Sequence, residues 1–315
     1  MAHSNRDHGG KLDSAIAQFG GTRSDWVDLS TGINPVAYPL PTLPADIWTA
    51  LPDVTAQATL FTAARQFWNV PDSADIVAAG GASALIAQIP TLRAKAETAV
   101  ISGPTYNEHA AAFSTHGWQV TETGRATAQV VVHPNNPDGR IWTAGDLFGD
   151  LTVIDESFCD VMPDASLIAQ SARPGTVILK SFGKFWGLAG ARLGFAIGDP
   201  DLIAGLRDRL GPWAASGPAL HIGAAALQDR SWADATRVRL RADADKLDDL
   251  MIAAGAKVVG GTTLFRLYDL AEASQWQRRL AKHYIWTRVF PYNARWLRLG
   301  LPHPDQWAKV EAALA

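Results

Sequence analysis

The chain has 315 residues, of which 47% are hydrophobic and 19% are charged, and this composition excludes a disordered protein. Its net charge is −3, from 28 Lys and Arg against 31 Asp and Glu, so no overall positive field favours nucleic acid as a partner. The single cysteine, Cys159, excludes an intrachain disulfide and indicates a reducing compartment. The first residues hold no apolar signal segment, and no apolar run approaches about 18 residues. We therefore expect a cytoplasmic protein that does not bind membranes.

The length predicts two domains, at about 150 residues per domain. Residues 1–50 are rich in Gly, Pro and Asp, which is typical of an irregular N-terminal arm, and we expect part of this arm to join the smaller domain. The apolar periodicity of residues 54–69 predicts a helix that leads into a large domain over residues 51–212.

Short apolar runs, separated by turns and helical segments, fill most of residues 75–200. These runs are apolar on both faces, which is typical of strands in a sheet that helices cover on both sides. Helical segments begin near Ala82 and Tyr106. The alternation predicts an α/β domain with a mostly parallel, seven-stranded sheet. The seven runs are DIVAA (75–79), TAVIS (98–102), QVTET (119–123), AQVVVH (128–133), LTVID (151–155), TVILK (176–180) and RLGFAI (192–197).

Residues 213–315 predict a long helix followed by a smaller α+β domain. Residues 218–254 have the pattern of one long or bent helix with a solvated, charged second half. Apolar runs then surround a helical segment near residues 271–282. These runs are KVVGG, TLFRLYD, IWTRVF and WLRLGL.

Ligands of such sheets bind at the carboxyl ends of the strands, and two small-residue turns lie there. GGAS (80–83) follows the first strand and opens a helix, so it is either a phosphate site with free N–H groups or an ordinary helix start. HPNNPDG (133–139) follows AQVVV, so it is either an ordinary turn or the position of an asparagine that donates into a cleft.

Two further patterns carry charged residues at strand ends. Asp155 ends the apolar strand of VIDESF, where it either caps a helix or pairs with a cationic atom of a ligand. Lys184 lies in SFGKFWGLAGARLGF (181–195), either as a surface lysine of a flexible loop or as a desolvated nucleophile suited to a Schiff base. The apolar residues on both sides of Lys184 argue against full exposure.

Taken in this order, the four patterns resemble the fold-type I pyridoxal-phosphate (PLP) enzymes of the class I and II aminotransferase group, over nearly the whole chain. The resemblance implies that Lys184 forms the Schiff base with PLP and that Asp155 pairs with the pyridinium nitrogen, so that the ring accepts electrons from the substrate. It implies no metal. It also implies cofactor-binding roles for Asn136 on the phenolic oxygen, for Tyr106 on the ring, and for Ala82, Ser83, Ser181 and Arg192 in the phosphate cup.

The resemblance also implies that Arg298, in WLRLGLP, grips the α-carboxylate of the substrate, because a guanidinium binds a carboxylate through two parallel hydrogen bonds. Two positions depart from the family pattern. Phe158 stands where relatives commonly have a tyrosine that touches the cofactor oxygen. Leu51 stands where many relatives have a tyrosine that reaches the phosphate of the partner subunit.

HGG (8–10), DLSTGINP (28–35), LPD (51–53) and WLRLGLP together resemble the threonine-phosphate decarboxylase branch of this group. That resemblance implies a homodimer that decarboxylates L-threonine O-3-phosphate to (R)-1-amino-2-propanol O-2-phosphate in cobalamin biosynthesis. Candidate ligands of the substrate phosphate are His8, Asn34 and Arg288. Two alternatives stay open, an aminotransferase of the histidinol-phosphate type and a non-catalytic PLP-binding sensor. Lys180 and Arg295 match no functional position, so we expect structural or surface roles for them.

Overall fold

The computed structural model describes residues 7–314, which form two compact units. The larger unit comprises Ala37–Asn136 and Arg140–Ala235. The smaller unit comprises Pro137–Gly139 together with the described residues up to Val36 and from Thr236 onward. These limits differ from the boundaries predicted at residues 50 and 212.

The larger unit holds five helices and seven strands. Asp53 begins the first of these helices as its N-cap, because its carboxylate accepts a hydrogen bond of 2.7 Å from the backbone N–H of Ala56. The elements are α2 (Val54–Trp68), β2 (Asp75–Ala79), α3 (Ala82–Gln88), β3 (Thr98–Ile101), α4 (Asn107–Thr115), β4 (Gln119–Thr121), β5 (Ala128–Val132), β6 (Leu151–Asp155), β7 (Thr176–Ser181), β8 (Gly194–Gly198), α5 (Pro200–Leu210) and α6 (Gly217–Gln228).

The seven strands form one sheet in the order β2-β8-β7-β6-β5-β3-β4. Six strands run in one direction, and β8 is antiparallel to both of its neighbours. Each of the seven apolar runs contains one strand, so the predicted α/β class and the mostly parallel sheet are confirmed. The last strand begins at Gly194 and not at Arg192, because Arg192 adopts a left-handed conformation (φ 49°) that ends the preceding turn.

The core explains why the runs show no polar face. Alternate strand residues, such as Val130 and Val153, pack with residues of α3, α4 and α5, such as Leu85, Phe113 and Ile203. The strand residues that point to the opposite face are buried as well. A sheet buried on both faces has only its strand ends left to carry polar chemistry.

Residues 218–254 form two helices, α6 and α7 (Arg230–Ala253), which break at Asp229. The Asp229 carboxylate accepts hydrogen bonds from the Ser231 hydroxyl and the Trp232 N–H, so it starts a new helix where the pattern predicted one long or bent helix. Helix α6 packs along α2 in the larger unit, which places the predicted boundary at residue 212 too early.

The smaller unit is α+β, as predicted. Its four-stranded antiparallel sheet has the order β12 (Arg288–Phe290), β13 (Asn293–Gly300), β10 (Phe265–Asp269) and β9 (Lys257–Thr262). A short parallel pair joins β1 (Val27–Asp28) to β11 (Ile285–Trp286). Among residues 7–314, no helix is both long and apolar enough to cross a bilayer. Apart from the end of α7, the elements of this unit are α1 (Leu12–Phe19), β1 (Val27–Asp28), β9 (Lys257–Thr262), β10 (Phe265–Asp269), α8 (Ala273–Ala281), β11 (Ile285–Trp286), β12 (Arg288–Phe290), β13 (Asn293–Gly300) and α9 (Trp307–Leu314).

Candidate functional site

The topology of the larger sheet collects the predicted cofactor residues at one edge. Strands β5, β6 and β7 end there, and antiparallel β8 starts there, with Gly194 opposite both Ala79 and Ser181. A cavity at this edge is lined by all eight residues predicted to bind the cofactor. These are Ala82, Ser83, Tyr106, Asn136, Asp155, Ser181, Lys184 and Arg192.

Asp155 is a buried carboxylate that is held ionised. One oxygen, Oδ2, lies 2.8 Å from His109 Nε2, and the other, Oδ1, accepts hydrogen bonds from the hydroxyl (2.5 Å) and the N–H (3.0 Å) of Ser157. Burial alone would raise the pKa of Asp155, but the bonds from His109 and Ser157 outweigh it and hold the pKa below its ordinary value. A fixed negative charge therefore faces the cavity.

Lys184 lies in a loop whose apolar side chains are fully buried. Phe182, Phe185 and Trp186 are each 0% exposed, while Lys184 itself is half-buried. Its Nζ lies 5.2 Å from the centre of the Phe158 ring. The buried neighbours anchor the loop, and this burial argues against the alternative of a surface lysine in a flexible loop.

The small-residue turn before α3 favours glycine at position 81. Gly81 has φ +92°, and a Cβ on it would lie 2.5 Å from the guanidinium of Arg192. Arg192 donates a 3.1 Å hydrogen bond to the Ala189 carbonyl. This turn brings the backbone N–H groups of Ala82 and Ser83 close to a guanidinium, an arrangement suited to a phosphate.

Tyr106 and Asn136 complete the cavity wall. The Tyr106 ring packs edge-on against the His109 ring, at 6.0 Å between centroids. Asn136 is 8% exposed, and its neighbour Asn135 is tied to the Pro104 carbonyl (3.0 Å) and to the Thr105 hydroxyl (2.6 Å). The buried Asn135 therefore fixes the turn from which Asn136 reaches the cavity.

Sequence reasoning missed His109 and Ser157. His109 lies three residues after Tyr106, and Ser157 lies two residues after Asp155 within VIDESF. The spacing of three places Tyr106 and His109 on neighbouring positions of one helical turn, so the pattern could have indicated a contact with the strand ends.

The predicted substrate residues lie in the smaller unit. Arg298 of β13 is 2% exposed, donates a 2.8 Å hydrogen bond to the Ser30 carbonyl and lies directly opposite Arg288 of β12. Burial and the charge of Arg288 lower the pKa of Arg298 to about 9. A buried guanidinium beside a second one is an environment that an anion would stabilise.

The predicted arm residues contact the partners of these two arginines. Arg288 pairs with the carboxylate of Asp7 at 3.3 Å, next to His8. Gly10 N–H donates a 2.8 Å hydrogen bond to the Ser30 hydroxyl, and a Cβ on Gly9 would lie 2.3 Å from the Ser30 carbonyl oxygen. The two glycines therefore let the backbone after His8 lie directly against Ser30, the residue that also binds Arg298.

Asn34 is buried, and its carbonyl oxygen accepts hydrogen bonds from Val36 N–H (3.1 Å) and Arg239 (2.5 Å). Any bond from this side chain to an anion would have to come from its amide nitrogen. Of the two charges without a predicted function, Arg295 is exposed and pairs with Asp269. Lys180 is 1% exposed, so a surface role for it is wrong.

One buried group has the composition of a metal site but not its chemistry. The candidate ligand atoms of His133, Glu156 and Cys159 lie within 4.8 Å of one another. His133 uses Nδ1 to accept from Trp142 N–H (3.1 Å) and Nε2 to donate to the Ala165 carbonyl (2.7 Å). Burial and the charge of Glu156 raise the pKa of the Cys159 thiol, so no thiolate is on hand. The side chains of His133, Glu156 and Cys159 each bond to other residues, so this group does not have the chemistry of a metal site.

The chain matches the family model of the class I and II aminotransferases over residues 26–313. It is 38% identical to the threonine-phosphate decarboxylase of Pseudomonas aeruginosa, over 98% of this chain and 97% of that protein. It is also 38% identical to the threonine-phosphate decarboxylase of a Sinorhizobium species, over 95% and 93% of the two chains. The fold matches a PLP-bound crystal structure of histidinol-phosphate aminotransferase from Sinorhizobium meliloti with a TM-score of 0.82 at 18% identity, over 98% of this chain and 94% of that one.

Proposed function

Since the chain belongs to the class I and II aminotransferase family, we propose that it is a PLP-dependent carboxy-lyase that converts L-threonine O-3-phosphate to (R)-1-amino-2-propanol O-2-phosphate in cobalamin biosynthesis. The observation that carries this proposal is the cavity in which Asp155, Lys184 and the turn before α3 meet. The two decarboxylase relatives support the choice of reaction, because each matches the chain along more than nine-tenths of its length.

The cavity residues fit pyridoxal phosphate in charge and shape. The N–H groups before α3, the Ser181 hydroxyl and Arg192 would hold the phosphate, while Asp155 would face the pyridinium nitrogen. Tyr106 would lie against the ring, and Asn136 would donate to the phenolic oxygen. When bound, the cofactor supplies an electron sink for the bond that breaks at the substrate Cα. The held-down pKa of Asp155 supports this assignment, because a neutral acid would not stabilise a protonated ring nitrogen.

The Nζ of Lys184 would have two roles. It would hold the cofactor in the resting enzyme, and the released amine would deliver a proton to the substrate Cα after carbon dioxide leaves. The buried apolar side chains around the loop exclude water from one side of this amine. Phe158, close to that amine, adds an apolar wall with no hydroxyl.

The substrate carries two anionic groups, and the smaller unit offers cations for both. We propose that Arg298 binds the carboxylate and that Arg288, His8 and the Asn34 amide contribute to binding the phosphate. The direct opposition of Arg288 and Arg298 on neighbouring strands supports a site for two anions. The seating of the HGG segment against Ser30 supports a role for His8, since it holds the arm beside Arg298.

The test compares substrates and products. We expect the purified protein, loaded with PLP, to release carbon dioxide and aminopropanol phosphate from threonine phosphate, to react with plain threonine about ten- to a hundredfold less efficiently, and to form no keto product from histidinol phosphate. Keto product from histidinol phosphate, with no carbon dioxide from threonine phosphate, would contradict the proposal in favour of an aminotransferase. Yellow colour with PLP and no reaction would favour a sensor.

The proposal includes a homodimer in the cytoplasm. Residues 40–54 expose four large apolar side chains, and a groove formed by Leu40 and Trp48 continues onto the Gly187–Ala191 turn that leads to Arg192. Such a surface fits a second copy of this chain, since apolar patches of this kind mark association sites. We expect light scattering to give twice the monomer mass and Trp48→Glu to lower it. An active wild-type monomer at assay concentration would contradict the dimer.

A further inference from the structure

Lys180 is a buried cation that the proposed chemistry does not use. It lies in β7, four residues before Lys184, and is 1% exposed. Its Nζ lies 2.6 Å from a carboxylate oxygen of Glu156 and 3.5 Å from one of Asp160. Burying three charges costs several kcal/mol per ion before pairing, so such a cluster is poor evidence for stability alone. Its contacts indicate what else it does.

One carboxylate of the cluster follows directly on Asp155. Glu156 accepts hydrogen bonds from the Ser166 hydroxyl (2.7 Å) and the Leu167 N–H (2.5 Å), and its own N–H donates to the Leu179 carbonyl (2.9 Å). Every one of these bonds fixes the chain immediately beyond the end of β6. Glu156, the residue after Asp155, is therefore fixed by three hydrogen bonds, and these bonds hold the backbone that carries the Asp155 carboxylate.

The other carboxylate holds the loop that carries Lys184. Asp160 accepts hydrogen bonds from the indole N–H groups of Trp68 (2.9 Å) and Trp186 (3.1 Å). Trp186 lies two residues after Lys184 and is 0% exposed. Its ring stacks on those of Phe182 and Trp232, at 5.2 and 5.4 Å between centroids, with both interplanar angles at 13°.

Stacking and the hydrogen bond constrain different motions of Trp186. Two parallel neighbours prevent the ring from tilting but resist sliding or rotation within its plane only weakly. The bond from the indole N–H to Asp160 sets this in-plane orientation, because it needs a short distance and a nearly straight geometry. Without Asp160, the Trp186 ring would stay buried but would no longer be held in one orientation within its plane.

We propose that Lys180, Glu156 and Asp160 form a positioning cluster that fixes the Lys184 loop and the Asp155 strand end relative to each other. The cluster touches neither reacting group. On one side it includes Glu156, the residue next to Asp155, and on the other Asp160 binds Trp186 in the loop of Lys184. Since a misplacement of about 1 Å can cost roughly a hundredfold in rate, a shared anchor of this kind bears directly on turnover.

Lys180 keeps its charge across the working pH range. Burial would lower the pKa of Lys180, but Glu156 and Asp160 raise it above its ordinary value. Lys180 is therefore a permanent cation and not a pH switch. The catalytic consequence of the cluster rests on the proposed role of Lys184, whereas the hold of the cluster on the loop can be tested without any cofactor.

Two conservative substitutions remove single contacts without emptying the core. Trp186→Phe keeps a stacked ring and removes the indole donor, and Asp160→Asn keeps the shape and removes a charge. Asp248→Asn is the matched control, because Asp248 is a partly buried carboxylate in the smaller unit that accepts from Arg266 (2.6 Å) and Tyr268 (2.8 Å). Lys180→Met removes the charge and should weaken the hold on the Lys184 loop. Lys180→Arg keeps the charge and should retain most of that hold.

The first readout is amide hydrogen exchange in the cofactor-free protein. The N–H groups of Gly187 and Leu188 bond to the Lys184 and Phe182 carbonyls inside the loop. We expect both amides to exchange at least about tenfold faster in Trp186→Phe and Asp160→Asn but not in Asp248→Asn. Unchanged exchange, or an equal rise throughout the larger unit, would overturn the proposal.

The second readout is steady-state kinetics of the PLP-loaded enzyme. We expect kcat to fall about ten- to a hundredfold in both variants, with KM within about threefold of wild type, because binding groups are untouched while the reacting amine is displaced. A kcat within twofold of wild type would overturn the proposal. Faster loop exchange in a protein whose wild type shows no decarboxylation would contradict the proposed function and leave the positioning role standing.

Discussion

Arg288 and Arg298 lie directly opposite each other on the neighbouring antiparallel strands β12 and β13. Like charges in such a pair destabilise a sheet, and one of them is also almost wholly buried. Arg288 offsets its charge by pairing with Asp7, while burial and Arg288 lower the pKa of Arg298 to about 9. A bound anion would therefore stabilise this pair by offsetting the repulsion between the two guanidinium groups.

This pair predicts that anion binding depends on the charge of Arg298. Burial and the neighbouring charge of Arg288 disfavour the protonated guanidinium, and a bound carboxylate offsets both effects. We expect the inhibition constant of 3-phosphoglycerate, which carries a carboxylate and a phosphate, to be at least about tenfold higher in Arg298→Gln than in the wild type. An unchanged constant in Arg298→Gln would contradict the account.

Removing Asp155 should leave a protein that binds PLP but reacts slowly. Asp155→Ala takes away the only charge assigned to the ring nitrogen, so we expect kcat to fall by at least about a hundredfold while some cofactor binding persists. Asp155→Asn, which keeps the shape, should fall nearly as far. Cofactor titration followed by steady-state kinetics separates the two effects. An Asp155→Ala enzyme within about threefold of wild type would be inconsistent with the assignment.

His109 should affect both stability and turnover through its contact with Asp155. His109→Phe removes the 2.8 Å contact to a buried carboxylate, and we expect stability to fall by about 1.5–3 kcal/mol and kcat by at least tenfold. His109→Gln retains an N–H donor and should recover part of both. Urea unfolding and kcat for the two variants provide the comparison. Equal loss in both would show that the ring shape matters and not the donor.

Lys184→Ala should abolish the visible absorbance that PLP gains when a lysine holds it, together with all turnover. Arg192→Ala, with Lys184 intact, should keep the absorbance at high PLP concentration and bind PLP more weakly. Absorbance spectra at increasing PLP concentration distinguish the two. Wild-type turnover by Lys184→Ala, without added amine, would exclude this residue as the Schiff-base lysine.

The strands could be predicted from the sequence because a sheet buried on both faces needs continuous apolar runs, and all seven stand out. The cavity residues could be predicted because their local motifs, at or near strand ends, resemble those of a known family. Both depend on short-range patterns, which one sequence contains.

Contacts between distant segments could not be predicted. The opposition of Arg288 and Arg298 depends on strand register, which a bulge between Val289 and Phe290 shifts. The burial of Lys180 depends on carboxylates 20 and 24 residues earlier in the chain. The helix breaks at Asp229 because the side chain of this residue caps the next helix, and the apolar periodicity does not indicate such a cap.

The arm should discriminate between substrates by their phosphate. His8→Ala should lower kcat/KM for threonine phosphate about tenfold or more and leave plain threonine nearly unchanged, since only the first carries the group that His8 is proposed to bind. Arg298→Ala should lower kcat/KM for both. Measuring both substrates in each variant tests the two roles. Equal losses for the two substrates in His8→Ala would remove the arm from the phosphate site.

Following the carboxyl carbon of the substrate tests the central claim most directly. Threonine phosphate labelled with ¹³C at the carboxyl group is incubated with the PLP-loaded enzyme, and labelled carbon dioxide and aminopropanol phosphate are both quantified. Decarboxylation predicts one labelled carbon dioxide for each aminopropanol phosphate, and no keto acid that retains the label. A labelled keto acid formed in place of carbon dioxide would contradict the account, because the bond broken at Cα would then be the one to hydrogen.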